Sequence, residues 1–288
     1  MLTETKERTK GITIADIEYL RHGDRSMKLR LIRPEGKGPF PVVVDLHGGA
    51  WNKGDLSECQ SRDEYLAKRG IAGAALDFRH AADGYPTSLA DINYAVRWLK
   101  ANAKDLRLDP ERLGITGQSS GGHLAMLFAM RPNDPRYSAI KLASAPSVDA
   151  SVRCVGMTWP VINPLSRYHN ALRARASANP PAWVGDIPER HDTYWKTEAN
   201  MDEGNPMLAL ERGEKLVLPP AIWVQGRPDP VHDYRDPASP MDMNEPERFV
   251  HNYRKAGGKI ELVDIDYATR DTDVPSEVLA KFFAKHLG

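Results

Sequence analysis

Hydrophobic positions along the chain fall into short runs that alternate with longer segments of helical period. The runs TIADIEYL (13–20) and MKLRLIRP (27–34) alternate apolar with polar residues, as strands with one face toward water do. Then come PVVVDLH (41–47), IAGAALDF (71–78), RLGITG (112–117), VRCVGMTWPV (152–161), AIWVQG (221–226) and KIELVDI (259–265). Several of these are almost continuously apolar, the pattern of central parallel strands. Between the runs, SLADINYAVRWLKANAKDL (88–106) sets Leu89, Ile92, Ala95, Val96 and Leu99 on one stripe, with Ser88 as N-cap. GGHLAMLFAMR (121–131) is apolar on nearly every side and predicts a buried helix. EPERFVHNYRKAGG (245–258) ends in glycines that stop a helix, and SEVLAKFFAKHL predicts the last one. Strand and helix in alternation predict an α/β fold, a mostly parallel sheet with helices on both faces.

One segment breaks the rhythm. Residues 162–218, between the sixth and seventh runs, are rich in Pro, Asn, Arg and aromatics such as Tyr168, Trp183, Tyr194 and Trp195. We read them as an insertion that divides the core into 1–161 and 219–288: either cap-like or lid-like, since connections of such length are commonly functional, or a solvated excursion with a small helix or two. Its rings favour, weakly, a substrate with an aromatic group.

Composition narrows the class. The 39 basic residues balance the 39 acidic ones, which favours neither nucleic acid nor an anionic membrane as partner. The first residues, MLTETKERTK, lack the apolar core of a signal peptide, and no run reaches the length of a membrane span. Cys59 and Cys154 read as free thiols. A soluble cytoplasmic protein acting on a small molecule is the expectation.

Chemistry enters at RLGITGQSSGGHLAM. A strand runs into Gly117-Gln118-Ser119-Ser120-Gly121 and then into the apolar helix, the G-x-S-x-G nucleophile-elbow pattern. So tight a turn presents the Ser119 hydroxyl at a helix N-terminus, where N–H groups favour developing negative charge. Upstream, PVVVDLHGGAW runs from a buried strand into His47-Gly48-Gly49-Ala50-Trp51. Acyl transfer needs N–H donors for its oxyanion, and glycine removes side chains that would block them. The N–H groups of Gly49, Ala50 and Ser120 are the candidates, and His47 reads as an anchor for the loop.

These motifs resemble the α/β-hydrolase family, in particular its hormone-sensitive-lipase-like esterase branch, and the H-G-G-x-W form is similar to that of arylformamidases. LDFRHAADGYPTSLADINYAVRWLK resembles the D-Y-R-x-x-P stretch of that branch, with Phe78 in place of Tyr. The resemblance covers about 27–161 and 219–288. It implies an eight-stranded, mostly parallel sheet and hydrolysis of esters, sometimes amides, through an acyl-enzyme, with no cofactor and no metal. It places the acid in a G-x-x-D turn, matched by Gly226 and Asp229.

The family's base follows the eighth strand, and there DIDYATRDTDVPSEV (264–278) has no histidine; Arg270 falls near that position. Arginine stays protonated and is no base. Among nine histidines, His232 lies three residues after Asp229, a spacing that lets a carboxylate hold an imidazole in one tautomer. His123 reads as a core residue, His22 and His286 as solvated, and His80, His169 and His191 as further candidates. Trp51, Trp159 and Arg270 are expected to line the substrate, Arg270 by binding an anionic group. Two readings stay open. One is a serine esterase built on Ser119, Asp229 and His232, with amidase, arylformamidase and lactonase as variants. The other is a hydrolase-shaped binding protein that has lost its base.

Overall fold

A computed structural model gives the fold of residues 5–9 and 11–288. Residues 1–4 and Lys10, part of the polar N-terminal stretch, lie outside the described residues. The strands are β1 (Thr5–Thr9), β2 (Ile12–His22), β3 (Arg25–Pro34), β4 (Phe40–Leu46), β5 (Ala72–Leu76), β6 (Leu108–Gln118), β7 (Val155–Thr158), β8 (Ala221–Arg227) and β9 (Ile260–Asp266). They form a single sheet in the order β1-β2-β3-β5-β4-β6-β7-β8-β9. Pairing is antiparallel from β1 to β2, β2 to β3 and β3 to β5, and parallel across the other five contacts. β2 to β9 are the eight strands expected from the apolar runs. β1 is an addition from the polar segment TKERT, aligned on β2 from Thr5↔Asp16 to Thr9↔Ile12.

The helices are α1 (Gln60–Ala67), α2 (Thr87–Ala101), α3 (Ala103–Leu106), α4 (Ser120–Met130), α5 (Pro164–Arg175), α6 (Ile187–Trp195), α7 (Glu198–Glu203), α8 (Pro206–Glu211), α9 (Glu245–Lys255) and α10 (Val274–Leu287). The stripe on α2 is buried as its spacing predicts, from Leu89 to Leu99. Ser88 is not its cap. The helix starts at Thr87, and the Ser88 hydroxyl donates instead to the Arg79 carbonyl. α1 has no amphipathic stripe. It is held by burial of Leu66 and Ala67 and by Arg62, which grips the Asp45 carboxylate with two bonds of 2.6 Å. That grip is what lets a charged residue stand in the middle of β4, where Val42, Val43, Val44 and Leu46 are all sealed from solvent. Burying each such aliphatic chain contributes about 1.5–3 kcal/mol.

Every residue of α4 is buried, as its composition predicts. The helix lies against the carboxyl ends of β4 and β6 so closely that only glycine fits: a Cβ on Gly121 would stand 2.2 Å from the Leu46 carbonyl oxygen. In 162–218, helices α6 to α8 bring Tyr194, Trp195, Met201 and Met207 into the main core. No helix among the described residues is long and apolar enough to cross a membrane.

Candidate active site

β6 ends at Gln118 and α4 begins at Ser120, so Ser119 makes the whole turn alone, at φ 53° and ψ −116°. A non-glycine residue there is strained, and the strain persists only because the surroundings fix it. The Ser119 N–H donates to the Thr158 carbonyl at 3.0 Å, and its own carbonyl accepts from Val161 and His123. The backbone being pinned from three sides, the hydroxyl is left partly exposed at the carboxyl edge of the sheet.

The loop after β4 lies directly against this turn: a Cβ on Gly48 would meet the Gln118 carbonyl at 3.3 Å and the Ser119 Cβ at 3.6 Å. His47 anchors it, stacked on Phe78 with centroids 4.4 Å apart and its Nδ1 3.0 Å from the Gly48 carbonyl. Burial drives the His47 pKa down to about 4, so the ring is neutral. Gly49 has φ +97°, and Ala50 and Trp51 follow at 51° and 61°. Such a run of positive φ turns successive N–H groups toward one hollow. A Cβ on Gly49 would stand 2.0 Å from the Lys53 carbonyl oxygen, so no other residue fits without moving the loop. The Trp51 N–H donates to Ser120 Oγ at 3.2 Å. Among the described residues the N–H groups of Gly49, Ala50 and Ser120 have no acceptor.

β8 leads to Asp229 and His232. Asp229 Oδ1 accepts from the N–H groups of Val231 (3.0 Å) and His232 (3.3 Å), and this tight turn swings the imidazole back over its own acid. His232 Nδ1 stands 2.8 Å from Asp229 Oδ2, and its Nε2 stands 3.0 Å from Ser119 Oγ. The carboxylate fixes the tautomer, with Nδ1 donating to Asp229 and Nε2 open toward the serine. Burial holds the imidazole below its usual range, aided by the charges of Arg167 and Arg270, with Asp229 opposing. Burial pushes the Asp229 carboxyl up, but the hydrogen bond and charge of His232 outweigh it and hold the group low. At neutral pH the pair is imidazole and carboxylate.

Among the described residues no other histidine ring is within hydrogen-bond reach of Ser119 Oγ. His123 is a buried ring between the Gly204 carbonyl (2.8 Å) and the Trp51 indole N–H (3.3 Å). His191 bonds the Ile187 carbonyl and His169 pairs with Glu198. His80 stands edge-on to His47. His22, expected to be solvated, pairs with buried Asp91 at 2.9 Å, a partner 69 residues along the chain.

Two expectations for substrate contact change. Trp51 is 1% exposed, enclosed by His123, His191, Tyr194 and Trp195, so its ring anchors the loop and has no face left for a substrate. Tyr194 and Trp195 are likewise sealed in, which removes the argument for an aromatic substrate from those rings. Trp159 is also buried, with Arg270 5.6 Å above its ring and 4.2 Å above that of Tyr267. Sequence reasoning missed Arg167 on α5, a buried guanidinium whose charge bears on His232. Nothing in PLSRYHNALRAR sets it apart from the arginines beside it.

Comparison with known proteins agrees with this fold. The probable carboxylic ester hydrolase LipM of Mycobacterium tuberculosis is 36% identical over 102 residues, 35% of this chain and 24% of that protein. The esterase LipI of the same organism is 30% identical over 229 residues, 74% of this chain and 65% of that protein. Several curated relatives are matched over only about a quarter to a third of their own length. The Pyrobaculum calidifontis esterase superposes with a TM-score of 0.71 at 20% identity, covering 99% of this chain and 86% of that one, which gives the α/β-hydrolase fold. The model of the family described as BD-FAE matches residues 30–231, and this chain is a member of that family.

Proposed function

We propose that this chain is a serine hydrolase of small carboxylic esters. The observation that carries the reading is the unbroken series Ser119 Oγ, His232 Nε2, His232 Nδ1, Asp229 Oδ2, with spacings of 3.0 and 2.8 Å. His232 takes the Ser119 proton as the oxygen attacks the ester carbonyl, and Asp229 steadies the imidazolium that results. The free N–H groups of Gly49, Ala50 and Ser120 receive the oxyanion. His232 then protonates the leaving alcohol, and a water activated by the same ring releases the acid. Amides and lactones pass through the same tetrahedral state and are variants of this reading. A cytoplasmic location belongs to it too, supported by Cys59 and Cys154, both buried and unpaired as a reducing compartment leaves them.

The alternative of a binding protein without a base rested on Arg270 standing at the usual histidine position. With His232 in hydrogen-bond reach of Ser119, that argument loses its ground. The test is direct. A fluorophosphonate probe should label the wild-type chain at Ser119, and Ser119→Ala should take no label and hydrolyse no short ester while its circular dichroism is unchanged. Labelling elsewhere, or ester turnover surviving in Ser119→Ala, would reject the proposal.

A further inference from the structure

Among the described residues the shielded arginines are tied down by acceptors, with one exception. Arg62 grips Asp45, Arg79 grips Asp91, Arg248 grips Glu211 and Glu245, and Arg97 donates to Asn93 and the Ile140 carbonyl. Arg167 is 4% exposed, and among the described residues its guanidinium makes no hydrogen bond; Nε and Nη1 are buried without a partner. A buried cation with nothing to donate to is costly, and such groups in native proteins are matched by an anion or by water.

Arg167 lines a small cavity with His232, Val231, Tyr234 and Glu245. Its free volume is about 10 Å³, room for one water-sized group. Glu245, which also lines the cavity, has a buried oxygen, Oε2, without a partner. Glu245 Oε1 is held by Ser166 Oγ (3.2 Å) and by Arg248 (3.1 Å), and burial pushes its pKa up to about 7. Near neutrality Glu245 therefore carries a proton much of the time, and with Oε1 engaged the O–H lies on Oε2. Two sets of donors, cationic Arg167 and neutral Glu245, face one hollow next to the base. That is a receptor for an oxyanion.

We propose that Arg167 is a specificity-determining residue that receives one oxygen of a carboxylate borne by the acyl part of the substrate, so that the preferred esters are short hemiesters of dicarboxylic acids. The proposal rests on the ester-hydrolase reading of Ser119 and adds the substrate class. The cavity takes a single oxygen and shares His232 with Ser119, so an acyl chain that reaches from one to the other is short.

The experiment compares monomethyl succinate with methyl butyrate, whose acyl chains have equal carbon number and differ in the terminal carboxylate. Product acid is followed by chromatography in wild type, Arg167→Met, Arg167→Lys and Arg270→Ala. Wild type should favour the hemiester by at least about tenfold in kcat/KM. Arg167→Met should lower that ratio at least tenfold, and Arg167→Lys should restore part of it. Arg270→Ala should keep it. The proposal is overturned if wild type has no preference, as a cavity filled by a structural water requires, if Arg167→Met retains the preference, or if Arg270→Ala removes it. Should wild type hydrolyse neither ester, the serine reading fails on its own account, and calorimetric titration with succinate still reads the site: binding lost in Arg167→Met supports it, and no binding to wild type overturns it. If Arg167→Met does not fold, Arg167→Lys and Arg167→Gln carry the comparison.

Discussion

Two turns at the carboxyl edge of the sheet invite comparison. The one after β8 carries Asp229 and His232, and within four residues it supplies both a carboxylate and an imidazole aimed at Ser119. The one after β9 carries Arg270, stacked on Tyr267 and Trp159 where the resemblance leads one to expect a histidine. Neighbouring parallel strands end close together, so a base moved from one turn to the other still reaches the same hydroxyl. What a hydrolase site requires is an imidazole nitrogen about 3 Å from the serine, whichever strand delivers it.

The comparison breaks most sharply at the turn after β8. His232→Ala should lower kcat by about 10⁴-fold or more, and Asp229→Asn by about 10⁴-fold, since the wrong tautomer then faces Ser119. Steady-state kinetics on a short ester reads both, and wild-type turnover in His232→Ala would mean that another group is the base. Next in size is the loop that faces both turns. Gly49→Ala forces a methyl onto the Lys53 carbonyl and displaces the donors, and should cost about 10²–10³-fold in kcat with KM little changed. The pH profile comes next. The proposed mechanism needs neutral His232, so kcat/KM should fall as pH drops through its pKa. Because burial lowers that pKa, half-maximal activity should lie below about pH 6.5; a midpoint above 7 would contradict the environment described. The smallest effect belongs to the other turn. Arg270→Ala should change kcat/KM for a neutral ester less than about tenfold, and should move the pH midpoint slightly upward as one charge opposing imidazolium is removed.

Much of this was legible in the chain because the constraints are local. Gly117, Gly121 and Gly49 stand where backbones nearly touch, and the three-residue spacing of Asp229 and His232 is itself the geometry that joins them. The strands β2 to β9 and the stripe on α2 follow from periodicity for the same reason. What stayed hidden depends on distant partners. His22 finds Asp91, α1 is held through Asp45 and the polar strand β1 exists only against β2. Trp51 looked available to a substrate because nothing near it in sequence shows that His123, His191, Tyr194 and Trp195 converge on it from two other segments. Arg167 was invisible because its significance lies in what it lacks, and a missing acceptor has no signature in a string of letters.

That keying of Trp51 between the rings of α6 and α4 has a mechanical result. Asn52 adds a second tie, with its amide reaching both the Ala50 and Arg190 carbonyls at 2.7 Å. α6 and the amide groups that would cradle a developing charge are thus riveted together, so the helix cannot shift without dragging the cradle out of true.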